Sequence, residues 1–245
     1  FVPFSTGGGS GSGIAPVLLN MLSNEMPNKV FIAMPIIPDK TESYISQRNC
    51  IETFEDLSSF DGCILPIDND KCLSMNIANG KNHLFKTVNK WVVDMIEKIE
   101  SYTKKESNLG VLDKKDLRNV FDTKGMATIS EVNLIKINEL NSFDYKWVAN
   151  KIQSSWNNGF FMDINKQEFI YKSGLIFDGQ EILIDLIDIP TVYSTFENKP
   201  FSQYEGYYTS EDGKVFNILS GLSWNQKRLE NIKEKFGRQS PNPTK

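Results

Sequence analysis

The sequence FSTGGGSGSG, at residues 4–13, separates an apolar, strand-like opening from an apolar run that begins at Ile14. Its glycines leave backbone N–H groups free to turn toward a bound anion, and a helix after them directs the positive end of its dipole to the same place. A passive, flexible linker has the same composition. Taken alone, the stretch fits a phosphate-binding loop and a plain linker equally well, so the rest of the chain has to distinguish them.

The composition limits the class of protein. The 245 residues are 40% hydrophobic and 24% charged, which is ordinary for a globular protein with one large core or two modest ones. The net charge of −4 argues against direct nucleic-acid binding, which needs a basic face. No apolar run approaches the ~20 residues that cross a bilayer, so we expect no membrane segment. Three cysteines without paired spacing favour free thiols and a cytoplasmic location.

The first third of the chain alternates strand-like and helix-like patterns. Apolar runs of strand length and stretches with helical spacing follow one another in the order 1–5, 14–23, 29–37, 42–57 and 62–67. This alternation predicts an α/β fold with a parallel sheet and crossover helices. Such sheets bind ligands at the carboxyl ends of their strands. The glycine-rich stretch and a polar loop at 68–71 both follow predicted strands, so we expect them at the same edge.

A long helix is predicted next, at 83–105, with an apolar stripe along one side. Beyond it, the patterns predict helices at 113–121, 144–156, 181–187 and 225–236, and strands at 125–137, 167–177, 191–197 and 214–219. The basic, proline-bearing end of the chain is typical of a disordered tail.

This order of elements resembles that of the tubulin/FtsZ superfamily of GTPases. The stretch GGGSGSG, at 7–13, is similar to the family's phosphate loop, which usually has threonine where Ser10 and Ser12 stand, and serine keeps the hydroxyl group. The resemblance extends over residues 1–236 and implies binding of GTP or GDP together with Mg²⁺. It assigns the phosphate contacts to Gly7, Gly8, Gly9, Ser10, Gly11, Ser12 and Gly13.

The sequence FKTVN, at 85–89, looks like the start of the family's long central helix. Residues four apart share one helix face, and the resemblance assigns Phe85 to stacking on guanine and Asn89 to hydrogen bonding with its edge. It also assigns Asn69 to guanine or ribose. Without the resemblance, Phe85 is a core aromatic residue and Asn69 a turn residue. Glu42 fits a ribose contact and a first-turn helical acid equally well.

The sequence VLDKKDLR, at 111–118, resembles the loop that reaches into the nucleotide pocket of the next subunit in this family. The resemblance implies that Asp113 and Asp116 are catalytic and orient the attacking water. Val111 stands where the family often has asparagine, which leaves the two acids in place. An N-capping pair for the following helix is the alternative interpretation of these aspartates.

The predicted fold class is therefore α/β, with a partial parallel-sheet nucleotide-binding domain joined by a long central helix to a smaller α+β C-terminal domain. The predicted boundaries are 1–82 for the partial GTP-binding domain, 83–106 for the central helix, 107–222 for the C-terminal domain and 223–245 for a last helix and basic tail. Because the chain begins without methionine, inside a strand, we expect further strands with phosphate and magnesium loops before Phe1. No metal-ligating residue is assigned.

The resemblance implies a GTPase that polymerises head to tail with copies of itself. Within this superfamily, the resemblance favours the TubZ-like plasmid and phage branch. This branch implies a role in DNA partitioning and a DNA-binding adaptor on the basic tail. A non-hydrolysing structural or regulatory relative of tubulin remains the alternative.

Overall fold

The computed structural model describes residues 1–75, 81–134, 145–165, 168–211 and 213–238. The helices and strands in these ranges follow in the order β1 (Val2–Ser5), α1 (Gly9–Glu25), β2 (Ile32–Ile37), α2 (Tyr44–Leu57), β3 (Cys63–Ile64), β4 (Ile67–Asp68), α3 (Asn69–Ser74), α4 (Lys81–Tyr102), α5 (Lys114–Phe121), β5 (Gly125–Asn133), α6 (Tyr145–Ser155), β6 (Lys172–Gly179), α7 (Glu181–Ile184), α8 (Ile189–Val192), β7 (Ser202–Thr209), β8 (Lys214–Leu222) and α9 (Gln226–Arg238).

The described strands form one mixed sheet in the order β1-β2-β3-β5-β8-β6-β7, with β4 also paired to β2. The neighbours from β1 to β5 are parallel, and β6 is parallel to β7. Only β8 runs against its two neighbours, β5 and β6. The predicted α/β class with a mainly parallel sheet is confirmed. Because the sheet passes from β3 to β5 without a break, it marks no division of the chain into domains. The predicted domain boundaries stay a prediction.

The long helix α4 lies in a core that both halves of the sheet share. Its apolar stripe is buried at Val88, Val92, Met95 and Ile99. These side chains belong to one cluster with Met34 from β2 and Ile218 from β8. Each large apolar side chain buried in this way contributes roughly 1.5–3 kcal/mol. The helix therefore ties the first strands to the last ones, as its predicted length and position implied.

Three predictions about the first strands and helices need correction. Helix α1 begins at Gly9 rather than at Ile14, so most of the glycine-rich stretch forms its first turns. The predicted strand at 62–67 is two short strands, β3 and β4, separated by Leu65 and Pro66. The polar loop predicted at 68–71 is instead the start of α3, whose first residue is Asn69.

The strand predicted at 191–197 is wrong. Asp188 accepts a hydrogen bond from the Thr191 N–H, and Pro190 occupies the first turn, so the chain forms α8 there. Both residues favour a helix start over a strand. The neighbouring strand is β7, ten residues further along, where three tyrosines stand among polar residues and a glycine. The predicted strand residues 135–137 and the end of the basic tail, 239–245, lie outside the described residues.

All three cysteines are free, as predicted, and all three are buried. Burial raises the pKa of Cys50, Cys63 and Cys72 to about 12 in each case. The thiols are therefore protonated at neutral pH and chemically inert. No helix in the described part of the chain is long and apolar enough to cross a membrane.

Candidate functional site

The segments that follow three strands, β1, β2 and β4, meet at one edge of the sheet. Ser5 at the end of β1 is paired with Ile36 of β2, and Ile37 is paired with Asp68 at the end of β4. Because all three strands are parallel, the residues that follow them lie side by side. We call this region the nucleotide edge, after the contacts predicted for it, and define it as residues 6–10, 38–42 and 68–70. The sequence predicted that the first and last of these would share an edge, and this prediction is confirmed.

The glycine turn after β1 is fixed from two sides. Thr6 is fully buried, and its N–H and hydroxyl both donate to the Ile36 carbonyl oxygen, at 3.1 and 2.8 Å. The Asn49 side chain, on α2, donates to the Gly7 carbonyl oxygen at 3.1 Å. Its backbone therefore has a defined shape, which a flexible linker lacks.

The glycines of the turn have different surroundings. A Cβ atom on Gly7 would collide with the Ser46 hydroxyl, and one on Gly11 would lie 2.5 Å from the Ser5 carbonyl oxygen. These two glycines allow α1 to approach β1 and α2 closely. Gly9 and Gly13 have no atom within 4 Å of such a Cβ. Gly11 therefore has no room for a side chain against the β1 backbone, Gly7 is crowded by a serine side chain, and Gly9 and Gly13 face open space.

The N-terminus of α1 has no side-chain cap. Gly8 is the N-cap residue and has no side chain, and the first helical bond described there joins the Ser12 N–H to the Gly8 carbonyl oxygen at 3.0 Å. The next residues, Gly9 and Ser10, are exposed. Their N–H groups and the Ser10 hydroxyl form a donor set that suits an anion such as a phosphate.

The same region offers no obvious set of cation ligands. Across the described residues, no group of three or more histidine, cysteine, aspartate or glutamate side chains could hold a metal ion. A magnesium ion in a nucleotide site takes much of its coordination from phosphate and water. The expectation that Mg²⁺ accompanies the nucleotide stays a prediction, and no residue of this chain is assigned to it.

The loop after β2 is a closed turn. Asp39 is buried, and its carboxylate accepts hydrogen bonds from the Thr41 N–H, at 2.7 Å, and from the Thr41 hydroxyl. Glu42 accepts from the Ser46 hydroxyl at 2.7 Å and from the Asp39 N–H at 3.2 Å. Glu42 thus has the structural role of an acid before a helix, while its exposure also leaves it accessible to a ribose.

Asn69 is the first residue of α3 and is half-buried. Asp68, just before it, accepts from the Asp70 N–H at 3.0 Å and so caps the helix. Asp70 in turn accepts from the Lys40 N–H at 3.3 Å, which connects this loop to the loop after β2. The position of Asn69 at the nucleotide edge therefore agrees with the predicted contact, which stays a prediction.

Asp68 also forms an ion pair that the sequence did not indicate. Arg228, on α9, donates to both carboxylate oxygens of Asp68, at 2.7 and 3.0 Å. Burial lowers the pKa of Arg228, but its hydrogen bonds with Asp68 and the charge of Asp68 raise it by more. Residues 228–235 are mostly charged and polar, a composition typical of a solvated helix face, but the Arg228 side chain is only 15% exposed.

Phe85 and Asn89 lie one turn apart near the start of α4, which packs against α3. Phe85 is half-buried and Asn89 is exposed, whereas Val88 between them is only 2% exposed. Val88 therefore belongs to the core face, and Phe85 and Asn89 lie nearer to solvent. Both side chains are accessible to a ligand, as the predicted guanine contacts require.

Asp113 and Asp116 begin α5 and form a complete capping box. The Asp113 carboxylate accepts from the Asp116 N–H at 2.8 Å, and the Asp116 carboxylate accepts from the Asp113 N–H at 3.2 Å. The N-capping interpretation is therefore confirmed. It leaves one oxygen of each carboxylate outside the box, and Asp113 is exposed. The predicted catalytic role stays a prediction.

The acidic turn lies at the opposite end of α4 from Phe85. The Leu112 N–H donates to the Tyr208 hydroxyl at 3.3 Å, and this hydroxyl donates to the Tyr102 carbonyl oxygen, at the end of α4, at 3.0 Å. At 1.5 Å per residue, Phe85 and Tyr102 are separated by about 26 Å along the helix. The acids of one chain thus lie far from Phe85 and Asn89, the predicted guanine contacts, of the same chain.

The structure contains a polar cluster at the end of α4 that the sequence did not predict. The Tyr102 hydroxyl and the Lys105 ammonium donate to the Asp178 carboxylate at 2.7 and 2.9 Å. Burial raises the pKa of Asp178, but hydrogen bonds from Lys105, Ser210 and Tyr102 lower it by more. These contacts join residues about seventy positions apart, so no local sequence pattern indicates them.

The chain is similar in sequence to known proteins. The sequence model described as "Tubulin/FtsZ family, GTPase domain" matches residues 1–76. The tubulin-like protein CetZ of Thermococcus kodakarensis is 25% identical over 239 residues, which cover 95% of this chain and 60% of CetZ. This chain therefore spans less than two thirds of that relative's length.

Solved structures share the fold. A TubZ of Bacillus thuringiensis serovar israelensis, from a GTPγS-form protofilament, has a TM-score of 0.77 at 15% identity, covering 96% of this chain and 64% of TubZ. CetZ from Methanosaeta thermophila has a TM-score of 0.68 at 17% identity, covering 97% of this chain and 64% of that CetZ. The chain has the tubulin/FtsZ-like fold. Because TubZ and CetZ both match, the TubZ-like branch stays a prediction.

Proposed function

We propose that this protein is a GTPase related to tubulin and FtsZ, which binds GTP at the nucleotide edge and assembles head to tail. Hydrolysis in each pocket is completed by Asp113 and Asp116 of the adjacent subunit. The observation that carries the proposal is the separation of the two halves of the site. The uncapped start of α1 and Asn69 lie at the carboxyl edge of the sheet, and α3, which begins with Asn69, packs against α4. The acidic turn lies beside the far end of α4, at Tyr102.

Nucleotide binding follows from the donors at the nucleotide edge. The N–H groups of Gly9 and Ser10 donate to phosphate oxygens, and the dipole of α1 stabilises their negative charge. Phe85 stacks on the guanine ring, and Asn89 and Asn69 hydrogen-bond to the base or ribose. Glu42 accepts from a ribose hydroxyl. GDP occupies the same site after hydrolysis.

Hydrolysis depends on positioning and on charge stabilisation, as in other phosphoryl transfers. The capping box orients the Asp113 and Asp116 carboxylates before any substrate arrives, since each holds the other's backbone N–H. The remaining oxygens accept hydrogen bonds from a water molecule and direct its lone pair toward the terminal phosphorus atom. The water attacks, the bond to the leaving phosphate oxygen breaks, and phosphate and GDP are the products.

Assembly follows from the separation of the nucleotide pocket and the acidic turn within one chain. A pocket at one end that needs acids from the other end generates a head-to-tail contact, and repeated contacts that do not close form a filament. Turnover is then coupled to assembly. The predicted TubZ-like branch implies a filament used in plasmid or phage DNA positioning, with a DNA-binding adaptor on the basic tail. The protein would act as a cytoplasmic filament without direct nucleic-acid contact.

A second candidate is a non-hydrolysing relative with a structural or regulatory role. The observation that favours it is the capping box, because stabilising α5 is by itself a sufficient reason for two aspartates at these positions.

Sedimentation of the full-length protein with GTP, GDP and GTPγS distinguishes the two candidates. The GTPase predicts pellets with GTP and GTPγS, fewer with GDP, and a turnover rate that rises with protein concentration. Asp113→Asn is the informative variant, because asparagine still caps a helix but lacks the negative charge. It should bind GTP normally, hydrolyse it at least about tenfold more slowly and form longer-lived filaments. An unchanged rate in assembled Asp113→Asn protein would refute the catalytic role.

A further inference from the structure

The ion pair between Arg228 and Asp68 differs from the other ion pair described on the same helix. Its side chains are 15% and 4% exposed, and the guanidinium reaches both carboxylate oxygens. Lys233 of α9 also pairs with a helix of the first half, through Glu55, but at 3.4 Å and with exposures of 56% and 63%. Exposed pairs of this kind contribute little, whereas breaking a buried pair leaves an uncompensated charge.

Arg228 contacts two of the three loops of the nucleotide edge. Besides Asp68, it donates through Nη2 to the Pro38 carbonyl oxygen at 3.1 Å. Pro38 begins the loop that contains Glu42, and Asp68 precedes Asn69 and caps its helix. The Arg228 side chain therefore bridges the segments that carry Glu42 and Asn69, which the Lys40–Asp70 hydrogen bond also joins.

A second connection holds the start of α9 to α3. Asn225 caps α9 by accepting from the Arg228 N–H at 3.2 Å, and its amide donates to the Asp163 carbonyl oxygen at 2.9 Å. The Asp163 carboxylate accepts from Lys71, on α3, at 2.6 Å. The helix that begins with Asn69 and the helix that carries Arg228 are thus joined through two independent routes.

We propose that Arg228 is a positioning residue for the nucleotide site, through which nucleotide binding and the docking of α9 stabilise each other. This inference rests on the proposed function. Binding at the nucleotide edge favours the arrangement of both loops that Arg228 holds. By thermodynamic linkage, loss of the Arg228 contacts must weaken nucleotide binding by the same factor by which nucleotide stabilises docked α9. The helix from which the basic tail leaves would therefore respond to the nucleotide.

The test uses the full-length protein, with GTP and GDP as ligands in magnesium-containing buffer. Arg228→Gln should weaken binding of both nucleotides about tenfold. Arg228→Lys keeps the charge but loses the bidentate contact with Asp68. Its nucleotide affinity should therefore lie between that of Arg228→Gln and that of the wild type. Lys233→Gln is the matched control on the same helix and should change affinity less than twofold.

Hydrogen exchange provides a readout that a purely structural role would not move. GDP should slow exchange of the α9 backbone amides in the unmodified protein and have no such effect in Arg228→Gln. If unmodified protein binds neither nucleotide, the proposed function fails, and this inference fails with it. If unmodified protein binds nucleotide and Arg228→Gln binds it equally well, only the inference is overturned. Should Arg228→Gln fail to fold, unchanged α9 exchange on adding GDP to unmodified protein overturns it.

Discussion

The helices α1 and α5 solve the same problem at their N-termini in opposite ways. Each helix leaves backbone N–H groups without partners at its start. At α5, Asp113 and Asp116 satisfy two of these groups and direct negative charge outward. At α1, Gly8 has no side chain to offer, so the donors remain available. The start of α5 is therefore complete without a ligand, whereas the start of α1 gains most from a bound anion.

This difference has an energetic consequence. A side-chain cap stabilises a helix by about 0.5–2 kcal/mol, and a glycine N-cap gives part of that through its backbone freedom. An anion bound at the start of α1 supplies the helix stabilisation that a side-chain cap would otherwise give. Ligand binding should therefore stabilise this half of the protein. The turn before α5 needs no such help, and its carboxylates are oriented in the isolated chain.

The strongest test of the comparison gives α1 the cap that α5 has. The Gly8 backbone is extended, and a Cβ there has no atom closer than 4.0 Å, so Gly8→Asp fits without strain. The new carboxylate repels phosphate by about 4 kcal/mol at an effective dielectric constant of 20, so GTP affinity should fall at least about 100-fold. The melting temperature should not fall, because the helix gains a cap.

Calorimetric titration with GTP and thermal unfolding check this prediction, with Gly8→Ala as the control that adds a Cβ without charge. Equal loss of affinity in both variants would mean that space, and not charge, limits binding at α1.

The next test concerns the packing of α1 on β1. Gly11→Ala places a methyl group 2.5 Å from the Ser5 carbonyl oxygen and should destabilise the protein by about 1–3 kcal/mol. Gly13→Ala meets no atom within 4 Å and replaces glycine inside a helix, so it should stabilise by up to about 1 kcal/mol. Urea unfolding of the two variants measures the difference. Equal effects would contradict the described approach of α1 to β1.

At α5, removing the cap should have a moderate effect. Asp113→Ala loses the carboxylate that accepts from the Asp116 N–H and should lower the free energy of unfolding by about 0.5–2 kcal/mol. Asp113→Asn retains an acceptor and should stay close to the wild type in the same urea titration. If the two substitutions destabilise equally, the capping box does not stabilise α5.

The smallest expected effect is pH-dependent and concerns the cluster beside the acidic turn. The net lowering of the Asp178 pKa means that its charged form stabilises the fold above the unfolded pKa of about 3.9. This contribution is lost as the pH falls through the lowered native pKa. Asp178→Asn keeps an acceptor for Tyr102 and loses mainly the attraction to the partly exposed Lys105, about 0.5 kcal/mol.

Thermal unfolding should therefore separate wild type from Asp178→Asn by a degree or two near pH 7, and the difference should shrink below about pH 4. A difference that grows as the solution becomes more acidic would contradict the lowered pKa.

Local patterns were sufficient for the parts of the fold that depend on local physics. The buried parallel strand β2 reads as a continuous apolar run, and the apolar stripe of α4 has helical spacing. The start of α1 was misplaced because its first turns consist of glycine and serine, which have low helix propensity and form the helix here through close contact with β1.

Contacts between segments that are far apart in the chain could not be predicted from the sequence. Arg228 and Asp68 are 160 positions apart, and Arg228 lies in a polar run that looks solvated. Strand β7 mixes tyrosines with polar residues in no regular alternation, and its place in the sheet depends on pairing with β6. In both cases the sequence lacks a local signal because the partner determines the environment.

The central claim is that the acids of one subunit complete the pocket of the next, and mixing two inactive variants tests it most directly. Gly8→Asp lacks the pocket and Asp113→Asn lacks an acid, so neither should hydrolyse GTP appreciably alone. In an equimolar co-assembled mixture, about a quarter of the head-to-tail contacts join an intact pocket to intact acids, which should restore about a quarter of the wild-type rate. Co-sedimentation of both variants without restored hydrolysis would contradict the account.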